Sequence, residues 1–172
     1  MNGSKSRHTV LIVHAFQNFA HWLHLANIHR GWARSASGDT AKGIPWIERG
    51  ITDLRATGEV LGVPGLLAWK AEALYLANRT SEALEAISEA EALAERFEMR
   101  VYYSHLHRLR GVFLATLGAE EAEIEASFQE AIRIAKEQKS ISLEKRAEAT
   151  YEEYRRQKAS GSVGRGFRLP LW

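Results

Sequence analysis

Between Gly65 and Phe97 apolar and polar positions alternate in a way that predicts two helices and the turn between them. In the first half, Leu66, Leu67, Trp69, Ala71, Leu74 and Leu76 fall at mixed spacings of two, three and four. That gives an apolar stripe wider than a one-sided surface helix carries, and such a helix is covered on more than one side. Asn78, Arg79 and Thr80 break the pattern, and Ser81 is placed to cap a second helix. There Ala83, Leu84, Ile87, Ala90 and Leu93 recur every three or four residues, and the alanines allow close helix approach.

The same unit appears before and after this stretch. Gly31, Ala71 and Gly111 stand forty residues apart, each a small residue in an apolar run. Seven residues after each come Gly38, Asn78 and Gly118, residue types suited to a helix end. The second helices align Gly43, Ile47 and Gly50 with Ala83, Ile87 and Ala90, and with Ile124, Phe128 and Ala131 after one inserted residue in the run Ala119 to Glu123. A two-helix period near forty predicts an all-α protein: an α-solenoid of stacked antiparallel helical hairpins, about seven helices in all, in which no hairpin buries its apolar face alone.

The small residue, the turn seven positions later, and the small-x-x-x-large-x-x-small signature resemble tetratricopeptide repeats, whose usual period of about 34 is shorter. Three runs narrow the resemblance: HRGWARSASGD at His29 to Asp39, YYSHLHRLRGVFL at Tyr102 to Leu114, and SFQEAIRIAKEQKSISLEKRAEA at Ser127 to Ala149. They are similar to the repeat region at the C-terminal end of large bacterial ATP-binding regulators, many of which also carry an adenylate or guanylate cyclase domain or a DNA-binding domain. The similarity covers roughly Trp22 to Tyr154. It implies a right-handed superhelix engaged in protein interaction or sensing, with catalysis in other domains that this sequence does not contain. The chain departs from the pattern where further helices are expected and SGSVGRGFRLPLW stands instead.

In tetratricopeptide repeats the first helix of each hairpin lines a concave groove. Carried over by register, those positions are Ile28, Trp32, Ala68, Glu72, Tyr75, His105, Arg108 and Val112. Such a mix of aromatic and charged groups grips an extended peptide or a helix of a partner. The positive clamp that some members use for acidic C-termini is not reproduced, because Glu72 occupies a position where a donor is wanted. A different reading is structural. An array needs polar caps, and this one has apolar ends, so the chain pairs with itself as a homodimer.

Taken in order, residues 1–7 are polar and expected to be disordered, 8–158 form the repeat domain, and 159–172 form a glycine-rich tail carrying Phe167, Leu169, Leu171 and Trp172. His8 to Phe16 resembles the last turns of a preceding second helix. The next helices are expected at Phe19–Ala36 and about Thr40–Gly58, the latter with Pro45 in its first turn. After the central hairpin come Val101–Leu117, Glu121–Glu137 and a seventh helix, Ile141–Lys158, with Leu143, Ala147, Thr150, Tyr151 and Tyr154 towards the stack.

Composition adds exclusions. With 172 residues, 45% hydrophobic, the chain is long enough for one domain with a sizeable core. The formal charge of +2 is shallow and interleaved, which favours neither nucleic acid nor a membrane. The absence of cysteine excludes disulfides and thiolate metal sites. The apolar run Val10 to Val13 is too short for a signal core, so a cytoplasmic location is expected.

Candidate chemistry is sparse. His14, His21, His24 and His29 have helical spacing but no carboxylate nearby in sequence to complete a zinc site, and they read as polar positions of an amphipathic helix. His105 and His107 point in different directions on a helix, while His107, Arg108 and Arg110 read as a solvated edge beside Leu106 and Leu109. No phosphate loop or nucleophile elbow occurs. The acidic runs Glu89, Glu91, Glu95 and Glu120, Glu121, Glu123, Glu125 read as solvated faces. The basic C-terminal third, from Lys136 to Arg168, supports nucleic-acid binding only as a minor alternative, because Glu137, Glu144, Glu148, Glu152 and Glu153 interrupt it. A noncatalytic module with no metal or cofactor is the expectation.

Overall fold

A computed structural model describes residues 21–161 of the chain. Seven α-helices and one short 3-10 turn account for the regular structure of those residues, with no strand among them. The helices are α1 (residues 21–36), α2 (Thr40–Ala56), α3 (Val63–Leu76), α4 (Thr80–Arg96), α5 (Tyr103–Leu117), α6 (Glu121–Glu137) and α7 (Ile141–Ala159). The chain divides into two compact units between Val60 and Leu61. His14 and the apolar tail, both weighed from the sequence, lie outside the described residues.

The turn positions expected from the repeat all leave the ordinary backbone region. Gly38, Asn78 and Gly118 have φ of 96°, 60° and 73°. Each sits in the same hydrogen-bonding pattern. The N–H groups of Asp39, Arg79 and Ala119 reach back to the carbonyls of Arg34, Leu74 and Leu114, and those of Gly38, Asn78 and Gly118 bond to Ser35, Tyr75 and Ala115. This is the left-handed closure that satisfies the last carbonyls of a helix. Glu98 and Lys139 close α4 and α6 in the same way, at φ of 53° and 54°.

In the first unit α1 and α2 make a hairpin whose closeness depends on missing side chains. A Cβ on Gly31 would lie 2.7 Å from the Gly43 carbonyl oxygen, and one on Gly43 would lie 2.5 Å from the Gly31 carbonyl oxygen. Ser35 fits beside Gly43 by donating its hydroxyl proton to the Gly31 carbonyl at 3.0 Å. Ile28, Ile44, Ile47, Ile51 and Leu54 fill the rest of this core.

Two sequence expectations change. Pro45 stands inside α2, beyond its first turn, because the helix begins at Thr40 and its first bond runs from the Gly43 N–H to the Asp39 carbonyl. The α4 helix begins at Thr80 with Arg79 at the cap position and no side-chain cap bond. Ser81 is therefore already in the first turn. Thr80 is buried, and Arg79 instead holds Glu82 through a two-pronged ion pair.

In the second unit α5 packs against α3, α4, α6 and α7. It buries Leu106, Leu109, Val112, Phe113, Leu114 and Ala115. The α3 helix is buried almost all round, which answers the breadth of its apolar stripe. Gly111 makes room for a ring: a Cβ there would lie 2.8 Å from Phe128, which stacks on Tyr151 at 5.4 Å and tilts against Tyr154 at 5.5 Å. Full burial of side chains of this size is worth about 1.5–3 kcal/mol each. This aromatic contact helps to fasten α7 to the α5–α6 hairpin. Of the positions expected to face the stack, Ala147, Thr150 and Tyr154 are buried, and Leu143 and Tyr151 are half-buried.

Candidate functional site

A polar cluster sits among α3, α5 and α7, inside the second unit. Its centre is Arg108, only 2% exposed and flanked along α5 by Leu106 and Leu109. Its guanidinium lies 3.7 Å from the Glu72 carboxylate of α3, and it donates at 3.4 Å to the Thr150 hydroxyl of α7. A second arm reaches Nδ1 of His105, one turn back on α5, at 3.4 Å. The Thr150 hydroxyl in turn donates to the Arg146 carbonyl at 2.8 Å.

A guanidinium this deep needs an anion, because burying an unpaired charge costs several kcal/mol. Burial lowers the Arg108 pKa to about 10, the Glu72 carboxylate opposes that fall, and the Arg146 charge adds to it. Arg108 is thus still a cation at neutral pH. His105 behaves oppositely to a physiological switch: burial first, then the positive charges of Arg108 and Arg146, bring its pKa down to about 3. It is neutral at pH 7, with Nδ1 accepting from Arg108 and Nε2 4.0 Å from Glu72. Arg108 Nε is buried and has no hydrogen-bond partner among the described residues.

The register positions carried over from the repeat divide between the two units. In the second unit, Glu72, His105 and Arg108 are brought together in this cluster. Tyr75 is half-buried, its ring 5.3 Å from Phe113 and its hydroxyl 3.4 Å from that of Thr116. Desolvation raises the Tyr75 pKa. Ala68 and Val112 are fully buried in the core and present no surface to a partner. In the first unit Ile28 is also fully buried, its side chain filling the space over Gly50, and Trp32 is half-buried.

Arg108 corrects the reading of His107, Arg108 and Arg110 as one solvated edge. Only the outer two belong there. His107 Nδ1 lies 4.0 Å from Glu91, and Arg110 pairs with the same carboxylate at 2.9 Å. His105 and His107 do face different neighbours, Glu72 on one side and Glu91 on the other. Thr150 and Arg146 were not singled out as members of the cluster. A signal existed, since a lone acid in the apolar run of α3 and an arginine set between Leu106 and Leu109 in α5 each require a partner.

The amino-terminal histidines also have spatial neighbours that sequence distance hides. His24 Nδ1 is 3.7 Å from Asp53, and His21 Nδ1 is 4.0 Å from Glu59. His29 donates to the Leu25 carbonyl. No group of three metal-ligating side chains occurs among the described residues. Nor is any described helix long and apolar enough to cross a membrane. Three basic residues of the C-terminal third are paired with carboxylates: Lys136 with Glu144 and Glu148, Arg156 with Glu153, and Lys158 with Glu121.

Comparison with known proteins adds one relative. The chain is 29% identical over 123 residues to an uncharacterised protein of Rhizobium meliloti (strain 1021). The alignment covers 72% of this chain but 12% of that protein. No protein-family profile matches the chain, and no solved structure does.

Proposed function

We propose that the chain is a noncatalytic interaction module whose second unit receives a peptide or helix of a partner protein on the face shared by α3, α5 and α7. One observation carries this reading. The half-buried Arg146 acts on the cluster, so a guanidinium remains within reach of solvent next to the buried Arg108–Glu72 pair. Such a face suits a segment rich in carbonyl or carboxylate oxygens, with Tyr75 as an aromatic anchor beside it. The resemblance to the repeat region of large bacterial regulators agrees with the great length of the relative, of which the alignment covers a small part. On this reading the module belongs to signalling or transcriptional control.

The test is affinity capture from a native cell extract, comparing wild type with a Tyr75→Ala, Arg146→Glu variant of equal helicity by circular dichroism. Both positions are half-buried, and the helicity control guards against damage from losing the Tyr75–Phe113 ring contact. A partner retained by wild type and lost by the variant supports the reading. Recovery of the protein alone in both forms rejects it and leaves self-association as the account.

A further inference from the structure

Helical spacing puts Leu23, Asn27, Arg30 and Arg34 on one face of α1, and Trp46, Arg49 and Asp53 on one face of α2. Where these faces meet, a cavity of about 400 Å³ opens at the surface of the first unit, within the range of pockets that take a small ligand or a side chain. Leu23, 49% exposed, and the half-buried Trp46 give its lining an apolar part. Asp53 is the one carboxylate of the lining, and it is engaged by His24 at 3.7 Å and by Arg49 at 3.8 Å.

Trp46 also carries two cations. The Arg30 guanidinium carbon stands 4.4 Å from the centroid of its ring system and that of Arg34 stands 5.7 Å from it, contacts in which the ring face attracts the charge. The two arginines are one turn apart on α1, a like-charge spacing that destabilises a helix unless an anion lies between them. Neither has an ion pair or a side-chain hydrogen bond among the described residues, although Arg34 is half-buried. Residues 1–20 and 162–172 contain no aspartate or glutamate, so they hold no acidic side chain that could pair with them. A carboxylate for Arg30 and Arg34 therefore has to come from another molecule.

Guanidiniums held against an indole are oriented to donate paired hydrogen bonds to a carboxylate. The apolar wall beside them supplies affinity while the charges set orientation. Asp53 stands about two turns from Trp46 along α2, so a chain of phosphates laid along the seam would meet a like charge, whereas a segment with acids at one end and an apolar side chain at the other would not. We propose that this seam docks an acidic segment of a partner protein, with its carboxylates on Arg30 and Arg34 and an apolar side chain in the cavity between Leu23 and Trp46. The seam belongs to the first unit and the Arg146 face to the second, so either reading can fail without the other.

The probe is a short rhodamine-labelled peptide of glutamate with leucine at every third position, compared by anisotropy with its lysine counterpart and with a thymidine oligonucleotide of the same length. The glutamate peptide is expected to bind the wild-type chain about tenfold more tightly than either. Arg30→Gln with Arg34→Gln, which keeps much of each side chain on Trp46, should weaken it about tenfold, and Leu23→Ser about threefold. Arg146→Glu removes the same net charge from the second unit and should leave the affinity unchanged. The proposal is overturned if the glutamate peptide shows no binding at millimolar protein, if the lysine peptide binds as tightly, or if Arg146→Glu loses as much affinity as the Arg30, Arg34 variant. Tighter binding of the oligonucleotide, lost in the Arg30, Arg34 variant, would overturn it in favour of single-stranded nucleic acid.

Discussion

Arg108 of α5 lies 3.7 Å from Glu72 of α3, and both side chains are buried, at 2% and 7% exposure. The pair joins consecutive hairpins through their interior. Removing one partner strands the other charge in a low-dielectric site, which costs about 3–5 kcal/mol, whereas exchanging both for apolar groups of similar volume is often neutral. Glu72→Ala is therefore expected to destabilise the second unit by about 3–5 kcal/mol. Glu72→Leu combined with Arg108→Met should recover most of that loss. Urea unfolding followed by far-ultraviolet circular dichroism reads both, and a double variant as unstable as Glu72→Ala would show that the pair is not the source.

His105 gives a pH dependence with a definite sign. Its folded-state pKa is about 3, below the ordinary value of 6.5. Between those values the unfolded chain binds the proton that the folded chain refuses, so stability rises with pH through the window and is lost as pH falls. The contribution is fully present above about pH 6.5. His105→Gln should flatten the fall in melting temperature between pH 6.5 and 4. The residual slope belongs partly to His107, whose pKa burial also lowers.

Gly43 tests the closeness of the first hairpin. Gly43→Ala sets a methyl group 2.5 Å from the Gly31 carbonyl oxygen and into the Ser35 side chain, and backbone cannot yield as a flexible side chain does. Overpacking of this kind costs about 1–3 kcal/mol. Gly62→Ala, where a Cβ meets nothing within 4 Å, is the control and should leave the melting temperature unchanged or raise it slightly.

Lys139 closes α6 at φ 54°. A left-handed conformation costs an ordinary L-residue roughly 1–2 kcal/mol that glycine is spared, and glycine loses some of that gain through its greater unfolded freedom. Lys139→Gly should stabilise the second unit by about 0.5–1 kcal/mol, read by thermal unfolding. No gain would show that the lysine side chain compensates elsewhere.

The sequence by itself determined what is local or periodic. Gly38, Asn78 and Gly118 fall where the backbone must turn left-handed, and a residue without a large branched side chain is the chemical requirement of that turn. Ile47, Ile87 and Phe128 are buried at equivalent positions because helical spacing puts them on the face their neighbours cover. Each of these needs only the chain within one hairpin or its nearest repeat. The partners of charges belong to the tertiary structure. Arg108 reads as an ordinary polar position until Glu72 arrives from α3 and Thr150 from α7, and His24 gains Asp53 only when α2 folds back on α1. The cavity beside Trp46 is likewise built where Leu23 and Asn27 of α1 meet Asp53 of α2, residues far apart in sequence and joined in space by the packing of the hairpin. Pattern along the chain fixes which face of a helix is buried. Electrostatic pairing depends on which distant helix supplies that face's cover, and only the packed structure decides that.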